Sequence, residues 1–352
     1  MIRLLRLLLL PFTVIYGIVV MLRNKLYDYG VLQSTRFDVP VICVGNLVVG
    51  GSGKSPVTEY LVGLLGDRKI AILSRGYGRD TKGFLLADEQ STAKSIGDEP
   101  LQFYHKFPKV TVAVCENRVA GINQLKVNHD IILLDDAYQH RRLRPGFSIL
   151  LFEFQKLQHL QLLLPAGNLR EPFWGYKRAD LLLVTKSPEQ ISIADRQRCT
   201  AKFGERAQHD LFFSSIQYGR LISLYSKEWV EPGFLTDKTI FLITGIANPK
   251  PLLGYLEGVS GSIIHHDYPD HHSFSVQNLI KLVEAFQQHP GKEKIILTTE
   301  KDAQRLFDVT IKELLLNLPV FYLPIRIDME AKRKNEFDQK ILKYVSDTTR
   351  NR

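Results

Sequence analysis

Short, unbroken apolar runs alternate with helix-length amphipathic segments along most of this chain. Val39–Val44 ends in Gly45-Asn46, and a helical pattern begins near Ser55. Lys69–Leu73, Val110–Val114, Ile131–Leu134, Phe147–Phe152 and Leu181–Val184 repeat the strand pattern. Strands that are apolar on both faces and separated by helices predict a parallel sheet covered on both sides. Between Leu211 and Tyr225 two strand-like runs flank Tyr218-Gly219 and predict a hairpin or β-ribbon. A second α/β unit follows, with strands at Ile240–Thr244, Lys294–Leu297 and Pro319–Pro324, and a closing helix over Lys332–Ser346. The division expected is a hydrophobic helix in residues 1–30, a nucleotide-binding domain in 31–210, a ribbon linker in 211–226 and a smaller α/β domain in 227–352.

The first 30 residues break this rhythm. The 16 residues from Leu7 to Leu22 carry no charge and are flanked by Arg3, Arg6, Arg23 and Lys25. As a helix they extend about 24 Å, short of the roughly 30 Å hydrocarbon core. Adding residues 1–6, with their arginines reaching outward, brings the segment close to a span. No small-x-small cleavage site follows, which argues against a signal peptide. Membrane association through this helix is the expectation, and a buried core helix is the alternative.

Composition narrows the field. The 352 residues are 45% hydrophobic and 10% aromatic, which excludes disorder, collagen and coiled coil. Cys43, Cys115 and Cys199 lack disulfide or zinc spacing and predict small buried hydrophobes in a reducing environment. The net charge of +9 suits a membrane surface or phosphorylated substrates. No RNA- or DNA-binding signature accompanies it, so no nucleic-acid partner is expected, and no obligate protein partner either.

Candidate chemistry begins at Val48-Val49-Gly50-Gly51-Ser52-Gly53-Lys54-Ser55, between a strand and a helix. Glycines there let successive N–H groups face phosphate oxygens at a helix N-terminus. Lys54 would reach the β/γ-phosphates and the Ser55 hydroxyl would bind Mg²⁺. Val48 stands where the common pattern has glycine. The run Ile131–Asp136 ends in two carboxylates, of which Asp135 is the candidate for the metal shell, with Asp136 beside it. Gly97-Asp98-Glu99-Pro100 opens a helix. Arg170 would hold a phosphate or pair with Glu171. Asp267–Phe274 places His271 and His272 beside Asp270, an arrangement that suits a carboxylate-held acid/base histidine better than a metal site.

The ordered set GNLVVGGSGKSP, SRGYGR, GDEP, DDAYQH, LLPAGNLREP, YPDHHSF and TTEKDA closely resembles the tetraacyldisaccharide 4'-kinase family of lipid A synthesis, from about Leu4 to Ile325. The resemblance implies a P-loop enzyme at the cytoplasmic face of the inner membrane. It would use ATP and Mg²⁺ to phosphorylate the 4'-hydroxyl of a lipid disaccharide 1-phosphate, making lipid IV-A. It also explains Val48, because the family lacks the first glycine. It implies a catalytic pair of Asp98 and His271, with Asp98 taking the proton. Lys54 and Asp136 join the catalytic set, and Ser55, Glu99 and Asp135 the metal set. Asn46, Arg75, Tyr77, Gln139, His140, Arg170 and Glu171, within or beside these motifs, are substrate-binding candidates. Arg141, Arg142, Lys177 and Arg178 would meet anionic head groups or the substrate's existing phosphate, with a merely solvated basic face as the alternative.

Two positions depart from the family pattern. Ala137 replaces a glycine, where a positive φ would strain the backbone, and Pro145 replaces an aspartate. Asp98 and His271 lie 173 positions apart and are expected to meet only when the domains close. Two other classes remain open at this point: a soluble P-loop kinase for a small metabolite, and a membrane-tethered nucleotide-switch ATPase.

Overall fold

The computed structural model describes residue 6, residues 8–291 and residues 293–350. The first run of strands comprises β1 (Val41–Asn46), β2 (Ile70–Ser74), β3 (Leu85–Leu86), β4 (Thr111–Val114), β5 (Ile131–Asp135), β6 (Phe147–Glu153), β7 (Leu181–Thr185) and β8 (Leu211–Tyr218). The second comprises β9 (Leu221–Ser223), β10 (Trp229–Val230), β11 (Thr239–Thr244), β12 (Ser262–Asp267), β13 (Lys294–Thr299), β14 (Val320–Leu323) and β15 (Ile325–Met329). Among the described residues they form a nine-stranded sheet, β15-β8-β7-β6-β1-β5-β2-β4-β3, and a six-stranded sheet, β10-β9-β14-β13-β11-β12. From β8 to β4 the larger sheet is parallel, and only its edges, β15 and β3, run antiparallel. All residues of β1, β5, β6 and β7 are buried, as continuous apolar runs require.

The expected ribbon over 211–226 is not formed. β8 joins the large sheet beside β7, whereas β9 pairs with β10 and β14 in the small one. The apolar pattern was right for both strands, but it carried no information about their partners. The chain crosses back after β14, since β15 pairs with β8. The final helix, Ala331–Arg350, then buries Phe337, Ile341 and Val345 against Ile42, Phe147 and Phe212 of the large sheet. The C-terminal part of the expected 227–352 domain therefore belongs to the larger layer.

The N-terminal helix, Leu10–Asp28, buries Thr13, Gly17 and Val20 along one face. A Cβ at Gly17 would come within 3.1 Å of the end of the Leu163 side chain, so the helix sits closely against that residue. Phe12, Ile15, Ile18, Val19 and Leu22 on the other faces are exposed, which rules out the buried-core alternative. Among the described residues no helix is long and apolar enough to cross a membrane. Residues 1–5 and 7 of the expected hydrophobic segment, Arg3 among them, lie outside the described residues.

Helices Lys54–Leu65 and Asp98–Lys106 of the large layer meet helix Glu300–Leu306 of the small one through a buried polar latch. The Lys106 ammonium donates to Glu59 at 2.7 Å and to Glu300 at 2.8 Å, and Gln102 donates to Glu59 at 2.7 Å. Burial and then the Glu300 charge push Glu59 up to about 7. An acid whose pKa is higher folded than unfolded loses stability as pH rises between the two values, here from about 4.3 to about 7. Glu59→Gln is therefore expected to raise Tm at pH 8 by roughly 2–4 °C and to do less at pH 5. Thermal denaturation at the two pH values checks this, and an equal loss of Tm at both would contradict it.

Candidate active site

The phosphate loop leaves the buried end of β1 and enters helix Lys54–Leu65 at Gly53, whose left-handed φ of 83° turns the chain into the helix. Asn46 donates to the buried Ser52 hydroxyl at 2.7 Å, fixing the loop from within. Val48 is buried and bridged to Leu169, and the Val49 N–H donates to the Asn168 carbonyl at 2.9 Å. Val48 thus packs the loop against the LLPAGNLREP segment, a role that glycine cannot fill. Gly50 and Gly51 are exposed, and Ser55 lies in the first helical turn.

Lys54 reaches to 3.8 Å from Asp136. The Arg170 guanidinium grips the same carboxylate with two nitrogens, at 2.7 and 3.1 Å, and also donates to the Asn46 side chain. Asp135 next door is buried with both carboxylate oxygens unbonded. Burial, then the Glu99 charge, push its carboxyl well up. A buried carboxylate with two idle oxygens beside a phosphate loop fits a divalent cation completed by phosphates and water. Among the described residues no cluster of three or more His, Cys, Asp or Glu side chains is arranged to hold a metal unaided. The positive φ expected at Ala137 falls instead on Asp136, at 49°.

Asp98 and His271 are already together. Nδ1 of His271 lies 3.0 Å from the Asp98 carboxylate, which Arg305 also grips. No closure is needed for the pair to meet. The Lys301 ammonium stands 3.2 Å from Nε2 of His271 and 3.2 Å from Glu99. An ammonium only donates, so Nε2 accepts and Nδ1 carries the proton that is donated to Asp98. Burial alone would raise the Asp98 carboxyl; the His271 hydrogen bond and the charges of Lys301 and Arg305 outweigh it and hold it well below the usual range. His272 turns away, with Nε2 3.0 Å from Asn278 and its ring stacked on Tyr268.

The remaining candidates other than Tyr77 fall into two groups. Gln139 donates to the Asn46 carbonyl at 2.8 Å and to Glu171 at 3.0 Å. The N-terminal helix is stitched to this group: Tyr16 donates to the Arg170 carbonyl at 2.7 Å, Arg23 to the Gln139 carbonyl at 2.6 Å and Asn24 to Glu171 at 3.2 Å. The second group centres on His140, whose buried Nε2 has no partner. Burial and then Arg118, Arg142, Arg75 and Arg23 push it down to about 4. Tyr77 is exposed, with its ring 5.2 Å from that of His271. Of the four basic residues expected at a head-group surface, Arg141 pairs with Asp28 and Arg178 with Glu171.

Comparison with known proteins gives this arrangement its place. The model of the family Tetraacyldisaccharide-1-P 4'-kinase matches residues 5–346. The chain belongs to that family. It is 44% identical to a tetraacyldisaccharide 4'-kinase of Bacteroides thetaiotaomicron, covering 97% of this chain and 94% of the relative. One from Flavobacterium johnsoniae is 43% identical over 98% of each. A crystal structure of LpxK from Aquifex aeolicus in complex with ATP shares the fold at a TM-score of 0.75, with 30% identity over 97% of this chain and 99% of that one.

Within this 4'-kinase family member, sequence reasoning missed Lys301, Asp302 and Arg305. Asp302 is fully buried; it accepts from the Gly245 N–H at 3.0 Å and pairs with Arg305 at 2.8 Å. The TTEKDA motif was visible, but nothing in its local sequence says which side chains Lys301 and Arg305 meet. Their carboxylate partners Glu99 and Asp98 come from the other layer. Arg305→Met would leave Asp98 and Asp302 charged and buried with less compensation, which costs about 3–5 kcal/mol. Chemical denaturation checks this, and a loss below about 1 kcal/mol would show that the guanidinium holds nothing together.

Proposed function

We propose that this chain transfers the γ-phosphate of ATP to the 4'-hydroxyl of a tetraacyldisaccharide 1-phosphate at a membrane surface. The observation that carries the reading is the formed Asp98–His271 pair, joined by Glu99 and Lys301 to the phosphate loop's acidic flank. Family membership supplies the acceptor, and the pair supplies what an alcohol acceptor needs.

A sugar hydroxyl must lose its proton as it attacks. The Asp98 carboxylate already accepts from His271 and Arg305, so in this reading His271 rather than Asp98 faces the hydroxyl. Asp98 orients His271, and Nε2 of His271 takes the proton once the hydroxyl replaces the Lys301 ammonium there. Lys54 neutralises charge on the transferred group. Magnesium, held by Asp135, Ser55 and Glu99 with the phosphates, would supply further neutralisation when bound. Arg170 fixes Asp136 and the loop together. The arginines around His140 suit the acceptor's 1-phosphate, with His140 kept neutral among them.

The exposed apolar face of the N-terminal helix supports seating in the cytoplasmic leaflet of the inner membrane, with the helix lying in the interface. Its bonds to the loops carrying Gln139 and Arg170 hold the acceptor site beside that surface. Ile15→Asp with Ile18→Asp changes only exposed positions and is expected to shift the protein from vesicles to the soluble fraction in a flotation assay. Unchanged flotation would contradict the seating.

The reaction is tested by radiolabel transfer from ATP to the lipid disaccharide 1-phosphate. Acceptor-dependent product is expected, and Lys54→Ala should reduce its rate by about 100- to 1000-fold. Hydrolysis of ATP that ignores the acceptor would point to the nucleotide-switch class. Transfer only to small sugars would point to the soluble-metabolite class.

A further inference from the structure

A cavity of about 590 Å³ lies between the two layers, within the usual size of a small-molecule site. One wall forms where the chain crosses from layer to layer. Gly219 follows β8, Pro324 follows β14, and the Gly219 N–H donates to the Pro324 carbonyl at 2.9 Å. The buried end is the latch of Glu59, Gln102, Lys106 and Glu300. None of Lys54, Asp98, Asp135, His271, Lys301 and Arg305 lines this space. It is separate from the active site, although the same helices border both.

Charge is distributed unevenly along the cavity. At the buried end Lys106 balances one carboxylate, and burial followed by the Glu300 charge raises Glu59 to about 7, which removes much of the other. At the exposed end stand Lys227 and Arg326. Among the described residues neither of these side chains has a hydrogen bond or an ion pair; Lys227 lies 5.0 Å over the ring of Phe307. Arg220 beside them is already paired with Glu231 at 2.8 Å. Burial and, after it, the Lys227 charge lower His105, so the imidazole adds no further cation at neutral pH. The walls supply the rings of Tyr60, Phe107, Phe307 and Tyr322.

We infer that this cavity is a second ligand site, which takes a small organic anion with an aromatic body. The anionic group lies between Lys227 and Arg326, and the aromatic body lies against Phe107, Phe307 and Tyr322. Two uncompensated cations beside apolar walls attract an anion more strongly than they would in open water. An aromatic body covers ring surface that is otherwise wet. A cationic ligand would meet repulsion at the exposed end. The occupant touches helices Lys54–Leu65 and Asp98–Lys106 of one layer and Glu300–Leu306 of the other, so its binding favours the layers in this arrangement.

Photolabelling of the full-length chain in detergent with 4-benzoylbenzoate, an aromatic carboxylate, tests the site. Peptide mapping is expected to find the label within residues 102–107, 219–227, 304–307 or 322–327. The neutral amide of the same probe should need about tenfold higher concentration for half-labelling. Lys227→Gln with Arg326→Gln changes only exposed positions and should shift the carboxylate's midpoint by a similar factor while Tm is kept. A label confined to other segments would overturn the cavity as a ligand site. Equal midpoints for acid and amide would overturn the anion preference, and this comparison uses the wild-type chain alone. A double variant that folds and labels at the wild-type midpoint would overturn the roles of Lys227 and Arg326. Saturating carboxylate should raise the wild-type Tm by about 2 °C, and an unchanged Tm would contradict the coupling to the layers.

Discussion

One carboxylate, Asp98, ties the two layers together. It is the first residue of helix Asp98–Lys106, yet its partners, His271 and Arg305, come from the small layer. Gly97 makes this possible: its φ of 95° and the 3.1 Å approach of the Tyr77 carbonyl to any Cβ there leave no room for a side chain. A charge buried this deeply is tolerated only when it is paired and hydrogen-bonded. Arg305 also donates to the Gly245 and His272 carbonyls, so the guanidinium that stabilises Asp98 also holds the loop bearing His271. Folding, interlayer contact and placement of the Asp98–His271 pair therefore rest on the same few bonds.

The polar latch of Glu59, Lys106 and Glu300 lies farther along the same helices and has a different character. Its two carboxylates share a single ammonium, and their mutual repulsion is relieved by protonation. The Asp98 end of the interface favours charge and the latch end tolerates it poorly. At the other boundary of the site, the N-terminal helix bonds to the loops that carry Gln139, Arg170 and Glu171. An apolar surface and the phosphate loop are thereby connected through side chains rather than through a flexible tether.

Much of this was legible in the sequence. Continuous apolar runs identified the central strands of the large sheet because both faces of each are covered. The GGSGKS loop, the Asp135-Asp136 pair and His271, but not His272, also lie together in the structure. What could not be read was partnership. The runs at Leu211–Tyr218 and Leu221–Ser223 are similar in composition, and nothing local says that they belong to different sheets. β12, with sequence SIIHHD, is only partly buried and lacks the apolar run that marks the others. Lys301 and Arg305 look like ordinary surface cations until the opposite layer places Asp98 and Glu99 against them. The expectation that Asp98 and His271 await closure failed for the same reason: sequence separation says little about distance when the chain crosses between layers more than once.

The central claim is that Asp98 and His271 work as one preformed unit, and a double-mutant cycle on acceptor phosphorylation tests it most directly. With saturating ATP and lipid acceptor, Asp98→Ala and His271→Ala are each expected to lower kcat by about 100- to 10,000-fold. The double variant should be little slower than the slower single one, because removing either member already disables the unit. Multiplicative losses in the double variant would mean that the two residues act separately and would contradict the account.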